Sequence, residues 1–118
     1  MKRPSPLADK TRLLSIESIR VIDELKSATR QYSMCDQLLR SVTAPGALVR
    51  EAQDSESPRD MHHKIGIALK EAREAAYWID LFIAGCGIEE ERFSTISNLL
   101  NEVTAMLVAS KKTLRQQF

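Results

Sequence analysis

Residues 57–87 read SPRDMHHKIGIALKEAREAAYWIDLFIAGCG, and this segment decides the fold. Ser57 and Pro58 offer an N-cap and a proline at the first helical position, where the missing amide proton costs nothing. Gly85-Cys86-Gly87 supplies a left-handed stop at the other end. Between these signals, apolar positions recur every three or four residues, which predicts an amphipathic helix. They are Ile65, Ala68, Leu69, Ala72, Ala76, Ile79 and Ile83, with Phe82 widening the stripe.

Three further segments show the same periodicity. Ser5-Pro6 repeats the serine–proline start, Ser33–Asp36 resembles a capping box, and Glu89–Arg115 begins with acidic residues and ends with basic ones, as the helix dipole favours. The stripes predicted to face the core are Leu14, Val21, Leu25, Ala28 and Tyr32, with Ile19 and Ile22 beside them; Leu38, Leu39, Val42, Leu48, Val49 and Ala52; and Phe93, Ile96, Leu99, Leu100, Val103, Met106, Leu107 and Leu114.

Pro45-Gly46 falls inside the second of these segments. A proline in a helix interior removes one amide donor and clashes with the preceding turn. We therefore predict a kink or a short break near Ala44, so that the second element is either bent or divided into two half-helices.

The predicted fold is all-α, an antiparallel up-down four-helix bundle whose second helix is kinked near Pro45. The helices are predicted at about 6–31, 34–55, 58–84 and 89–116, and no segment shows the sustained alternation of a strand. A chain of 118 residues has the length of one domain, so residues 1–118 are expected to form a single bundle.

Composition limits the classes of function. The 17 Lys+Arg residues nearly balance the 16 Asp+Glu residues, and this net charge of +1 gives no support to a strongly basic nucleic-acid binder. The amino terminus lacks the apolar stretch of a signal peptide, and Asp80 interrupts the longest apolar run. We expect a cytoplasmic protein with no membrane association.

Residues that could carry chemistry are few. His62 and His63 are adjacent, so on a helix they point about 100° apart and cannot both face one metal. Asp60-x-x-His63 has the spacing of half a carboxylate-bridged dimetal site, but no second copy exists. Cys35 and Cys86 form no CxxC motif, and nothing in the sequence places a base beside either. We predict no catalytic residue, no metal, no cofactor and no small-molecule substrate, and hence no enzyme.

Two clusters on the third helix are open to more than one interpretation. Residues 70–74, KEARE, are either a solvated helix face or an ion-pair seam between subunits. Of the adjacent rings of Tyr77 and Trp78, at most one can lie centrally on the core stripe, so the other is a candidate for a subunit interface. Packing of both ring edges against the core is the alternative.

The middle of the chain carries a longer string of motifs. The string comprises Gln37-Leu38-Leu39-Arg40-Ser41-Val42-Thr43, Gly46-Ala47, Glu51-Ala52, Ser57, Asp60, His63-Lys64, Ile67 to Glu74 and Tyr77-Trp78. Over residues 35–84 it resembles bacterial four-helix-bundle proteins, which include proteins encoded in intervening sequences of large-subunit ribosomal RNA genes. The chain departs from that family's pattern at Ala44, Pro45 and Leu48, and Leu48 stands where the family has an amide.

The resemblance implies a ring-like homo-oligomer, commonly a pentamer. It also implies a distant similarity to the accessory subunit of diversity-generating retroelements, which works with a reverse transcriptase and nucleic acid but is typically more basic. Our leading prediction is a homo-oligomeric scaffold or accessory protein, with a protein or RNA partner left open. The alternative is an RNA-binding accessory protein that uses Arg40, Arg50, Lys64, Lys70 and Arg73 as a patch assembled between copies.

The residues predicted to contact subunits or nucleic acid combine these clusters with the matching positions of the family motif. They are Arg40, Ser41, Thr43, Gly46, Arg50, Glu51, Lys64, Lys70, Glu71, Arg73, Glu74, Tyr77 and Trp78.

Overall fold

The computed structural model describes residues 5–118, which form four α-helices and one short 3-10 turn before the last of them. The elements are α1 (Pro6–Thr29), α2 (Tyr32–Gln53), α3 (Pro58–Cys86), the 3-10 turn (Glu90–Phe93) and α4 (Ser94–Arg115). Within residues 5–118 there is no strand, and no helix is both long and apolar enough to cross a membrane. The prediction about the signal peptide also rests on residues 1–4, which lie outside the described residues.

The helices pack as a four-membered bundle. α2 and α3 share the most extensive interface, α1 packs against α2 and α4, and α3 packs against α2 and α4. α1 and α3 therefore occupy diagonal corners. The predicted all-α four-helix bundle is confirmed.

The serine–proline starts form as predicted. Ser5 Oγ accepts a hydrogen bond from the backbone amide of Ala8 at 3.1 Å, and Ser57 Oγ accepts one from Asp60 at 3.0 Å. At the other end of α3, Gly87 adopts a left-handed conformation with φ of 69°. Each N-cap is worth about 1 kcal/mol, so the limits of α1 and α3 follow from local sequence.

The predicted capping box at Ser33 does not form, and α2 begins earlier, at Tyr32. The connection from α1 is only two residues long, because Arg30 turns left-handed with φ of 57° and donates its amide to the Lys26 carbonyl at 3.1 Å. This turn ends α1 at Thr29 and leaves no room for the predicted cap. The short connection holds α1 and α2 antiparallel.

Most predicted core positions of α4 are buried, but α1 and α3 differ from prediction. On α3, Ala75 is buried and Ala76 is exposed, the reverse of the predicted pair. Three residues of the stripe predicted for the first helix, Ile19, Ala28 and Tyr32, are exposed, and Tyr32 belongs to α2. The buried face of α1 is Thr11, Leu14, Ser18, Ile22 and Leu25.

Two hydroxyl side chains thus occupy core positions on α1. Thr11 satisfies its hydroxyl locally, since Oγ1 donates to the Leu7 carbonyl at 2.8 Å. Ser18 is fully buried, and its Oγ has no partner among the described residues. The preceding turn thus accepts the hydroxyl proton of Thr11 but not that of Ser18, and a stripe defined by apolar residues alone detects neither residue.

α2 runs without interruption through Pro45, so of the two predicted alternatives the division into two half-helices is wrong, and the bend near Ala44 stays a prediction. The proline deprives only the Ser41 carbonyl of its usual amide partner, four residues on. Pro45 is buried, and Gly46 lies where α1 approaches α2. A Cβ added to Gly46 would stand 3.5 Å from Ser15 Oγ and 3.6 Å from the Thr11 carbonyl oxygen. Packing on α1 holds the helix together across the lost hydrogen bond.

These distances predict that Gly46→Ala stabilises the fold. Contacts of 3.5–3.6 Å are ordinary van der Waals contacts, so the methyl group fits, and Ala is favoured over Gly in a helix interior by about 1 kcal/mol. Guanidinium unfolding followed by circular dichroism should show this gain. Gly66→Ala is the control, because its Cβ would meet only the flexible end of Lys111. A loss of stability in Gly46→Ala alone would show that α1 lies too close for a methyl group.

Candidate functional site

Arg40 on α2 reaches two carboxylates on the facing side of α3. Its Nη1 donates to Glu71 Oε2 at 3.2 Å, and its Nη2 donates to Glu74 Oε1 at 2.9 Å. Gln37 Oε1, one turn back on α2, accepts from the same Nη2 at 3.3 Å. The indole Nε1 of Trp78 donates to Glu74 Oε1 at 3.3 Å. We call these five residues the Arg40 network.

Helical spacing assembles this network. Glu71 and Glu74 are three residues apart and Trp78 is four further on, so all three share one face of α3. The Arg40 side chain is 52% exposed and that of Glu71 is 19% exposed, so water screens the ion pairs only in part. Exposed pairs contribute roughly 0.2–1 kcal/mol each, and one guanidinium held by two carboxylates also fixes geometry. The network therefore adds a polar contact between α2 and α3 outside their buried interface.

The KEARE segment is divided by the structure. Glu71 and Glu74 bind Arg40 within the same subunit, and Ala72 lies in the core. Lys70 and Arg73 project instead towards α4, where they line a groove. The segment is thus not a uniform solvated face, because its acids and its bases lie on opposite sides of α3, and the ion-pair seam between subunits stays a prediction.

The groove between α3 and α4 has a volume of about 280 Å³ and a strongly basic lining. We call it the α3–α4 groove. Its lining residues are His62, His63, Gly66, Ile67, Leu69, Lys70, Arg73 and Lys111.

The five predicted basic residues do not form one patch within the subunit. Arg40 belongs to the Arg40 network. Arg50 lines a separate groove between α1 and α2, which also contains Arg12. Lys64 pairs with Asp60 Oδ2 at 3.1 Å on its own helix. Only Lys70 and Arg73 lie together, in the α3–α4 groove.

The remaining predicted residues lie at different depths. Ser41 is fully buried, and its Oγ donates to the Leu38 carbonyl at 3.2 Å, so it is a core residue that no partner can reach. Thr43 is half-buried and donates to the Leu39 carbonyl at 2.7 Å. Gly46 faces α1, and Glu51 is exposed near the end of α2.

Tyr77 and Trp78 point to different sides of α3, as adjacent residues on a helix must. Tyr77 is 59% exposed, whereas Trp78 is half-buried against the core and bonded to Glu74. Their ring centroids lie 6.2 Å apart. Tyr77 is thus the ring available to a partner.

The side chains that could support catalysis are scattered. In residues 5–118 no group of three His, Cys, Asp or Glu side chains could hold a metal. Burial raises the pKa of the Cys35 thiol, against a smaller lowering by its hydrogen bond with Thr29, so the thiol stays protonated and weakly nucleophilic. The hydrogen bond from Lys64 lowers the pKa of Asp60, which keeps this carboxylate ionised in the first turn of α3.

Sequence reasoning missed a second group of basic and aromatic residues beside the groove. Phe118 packs under two guanidinium groups, with Arg59 Cζ 4.6 Å and Arg115 Cζ 5.0 Å from its ring centroid. The His62 ring meets the same phenyl edge-on at 5.3 Å. In the sequence, Lys111 and Arg115 only complement the dipole of α4. Their position beside α3 follows from tertiary packing, and no local pattern signals it.

The Arg40 network generates a testable coupling. In a double-mutant cycle on Arg40→Met and Glu71→Gln, we expect a coupling free energy of about 1 kcal/mol that shrinks in molar salt. Urea unfolding provides the measurement. The exposed pair Arg20–Glu17, 3.7 Å apart on α1, is the control and should give a coupling near zero. Equal coupling in the two cycles would mean that the network contributes no more than an ordinary surface pair.

Comparison with known proteins places the chain among proteins without an assigned activity. A family model described as 23S rRNA-intervening sequence protein matches residues 6–109. A solved structure from Bacteroides thetaiotaomicron, a protein of unknown function from the S23 ribosomal protein family, is 33% identical with a TM-score of 0.85. The similarity covers 90% of this chain and 98% of that one. The comparison with curated proteins gives no match.

Proposed function

This chain belongs to the 23S rRNA-intervening sequence protein family, and we propose that it is a non-enzymatic, cytoplasmic, homo-oligomeric scaffold or accessory protein. Its subunits form a ring, and the resemblance described above favours five of them. Neither the matched family nor the similar structure carries the name of an enzyme.

The observation that carries this proposal is a second helical stripe on α3. Ile67, Tyr77 and Leu81 lie on the side of the helix opposite its core seam. They belong to a run spaced by four and three residues, the spacing of a helix-packing seam. The run is His63, Ile67, Lys70, Glu74, Tyr77 and Leu81, and we call it the α3 outer stripe. α3 already packs in the core of its own subunit, so this second stripe is available for packing against a helix of a neighbouring subunit.

Exposed apolar side chains also lie on α1, at the diagonal corner of the bundle. Leu13 and Ile19 on α1 are 43% and 54% exposed. Because α1 and α3 do not adjoin, one subunit can offer α1 to a neighbour while its α3 contacts another. Contacts between two unlike surfaces generate closed rings when the rotation closes, including rings with an odd number of subunits. This arrangement supports a ring over a two-fold dimer.

Nucleic-acid binding is the second candidate. The observation that favours it is the concentration of basic side chains along the α3–α4 groove and around Phe118. The patch predicted from sequence does not supply this surface, since three of its five members lie elsewhere in the subunit.

Substitution of Tyr77 tests the assembly. We expect the wild-type protein at micromolar concentration to scatter light as a multiple of the 13.3 kDa subunit. Tyr77→Arg should shift the mass towards one subunit, because it places a charge in the centre of an apolar contact.

Tyr32→Arg is the matched control. Tyr32 is 58% exposed, almost as much as Tyr77, but it lies at the start of α2 and outside the α3 outer stripe. Its variant should keep the wild-type mass. A wild-type mass of one subunit would disprove the assembly, and dissociation by Tyr32→Arg alone would place the interface elsewhere.

A further inference from the structure

The α3–α4 groove gathers positive charge from two helices. Lys70 and Arg73 contribute from α3, and Lys111 contributes from α4 with its ammonium group 3.5 Å from the position that a Cβ on Gly66 would take. Gly66 has no side chain, so no Cβ fills the space beneath Lys111 in the middle of the groove. Arg59 and Arg115 continue the row around Phe118 at one end.

These five basic side chains carry no ion pair with a carboxylate of residues 5–118. The ion pairs of that part of the chain engage Lys10, Arg20, Lys26, Arg40 and Lys64 instead. The acids of the same stretch of α3, namely Asp60, Glu71 and Glu74, bond towards Lys64 or Arg40 and away from α4. A near-neutral chain thus leaves these five basic side chains without an ion-pair partner among the described residues.

The basic side chains around His62 also indicate a positive local potential at this end of the groove. The pKa of His62 lies below its ordinary value, because partial burial disfavours the charged imidazolium and because Lys111, Arg115, Arg59 and His63 repel its proton. The part of this lowering that comes from Lys111, Arg115 and Arg59 reflects a positive local potential, and such a potential attracts anions.

The length of the row selects the kind of anion. Arg59 and Arg73 are fourteen residues apart on one helix, which corresponds to about 21 Å along its axis. A free phosphate could meet only two or three of the five basic groups at once, whereas a flexible chain of phosphates can follow all of them. Aromatic rings that stack bases commonly accompany such a track in proteins that bind single strands. Here His62 and the 38%-exposed ring of Phe118 lie at the Arg59 end.

We propose that the α3–α4 groove binds single-stranded nucleic acid, with Lys70, Arg73, Lys111, Arg59 and Arg115 contacting successive phosphates and Phe118 contacting a base. The proposal rests on the second candidate function and assigns its site. Lys70 lies on the α3 outer stripe as well as in the groove, but Arg59, Arg73, Lys111 and Arg115 all lie in or beside the groove within one subunit, so binding does not require assembly.

Charge reversal on opposite sides of the bundle tests this site. Fluorescence anisotropy with a labelled oligouridylate of about 20 nucleotides should show salt-dependent binding by the wild-type protein. Arg73→Glu/Lys111→Glu should weaken binding at least about 10-fold and lower the salt slope by about 2. The control is Arg12→Glu/Arg50→Glu, because both residues line the groove between α1 and α2 and the change in net charge is the same. This variant should change the affinity less than about 3-fold.

Three results would overturn the proposal. The first is no binding by the wild-type protein at about 100 μM in low salt, the range of nonspecific binding. The second is an equal loss in the two double variants, which would mean binding through overall charge. The third is competition by polyglutamate as strong as that by oligouridylate, which would indicate an acidic protein partner instead.

Light scattering on both variants separates this test from the test of assembly. Circular dichroism should show both variants folded, and both should keep the wild-type mass. Loss of RNA binding at unchanged mass supports the groove whatever the subunit number is. A fall in mass confined to Arg73→Glu/Lys111→Glu would instead identify the groove as a subunit contact and count against the proposal.

Discussion

Close packing around the alanines of α3 is the constraint on which the rest of the molecule depends. Ala68, Ala72 and Ala75 are completely buried and extend only to Cβ, so α2 and α4 can approach the α3 backbone closely. The α2–α3 interface is accordingly the most extensive in the bundle. Because the helices are close, the Arg40 side chain on α2 can reach two carboxylates of α3, and Lys111 on α4 can lie over Gly66. Larger side chains at these alanines would separate the helices, so that Arg40 could no longer reach the two carboxylates and Lys111 could no longer lie over Gly66.

The same helix distributes its polar residues by direction. Carboxylates turn towards α2, where Arg40 neutralises them, and basic side chains turn towards α4, where no carboxylate of the described residues meets them. The third side carries the α3 outer stripe. Net charge cannot report such an arrangement, because +1 is the sum of a compensated side and an uncompensated one. The weak sequence evidence for nucleic-acid binding thus reflects the whole-chain sum, and the structure shows a local excess.

Local signals in the sequence were sufficient for the fold but insufficient for the site. Ser5-Pro6 and Ser57-Pro58 act within a single turn, so they located the starts of α1 and α3 correctly. Hydropathy could not distinguish Ala75 from Ala76, since the two residues are chemically identical and only packing decides which one faces inward. Ser18 was missed because a hydroxyl does not contribute to an apolar stripe. Pro45 does not divide α2, because tertiary packing compensates a single lost hydrogen bond.

The candidate site was only half predictable, for a related reason. Glu71, Glu74 and Trp78 share one helix face, and helical spacing alone brings them together, but their partner Arg40 comes from another helix. The α3–α4 groove depends still more on tertiary structure, because Lys111 is about forty residues from Lys70 and Arg73 in the sequence. Arg73 and Tyr77 are four residues apart and are neighbours on α3, so if α3 contacts another subunit through Tyr77, the groove borders that contact and a ring would repeat it once per subunit. Binding of one strand by several weak sites raises avidity without any new contact. A subunit with a net charge near zero could then hold a polyanion that a single copy binds only weakly.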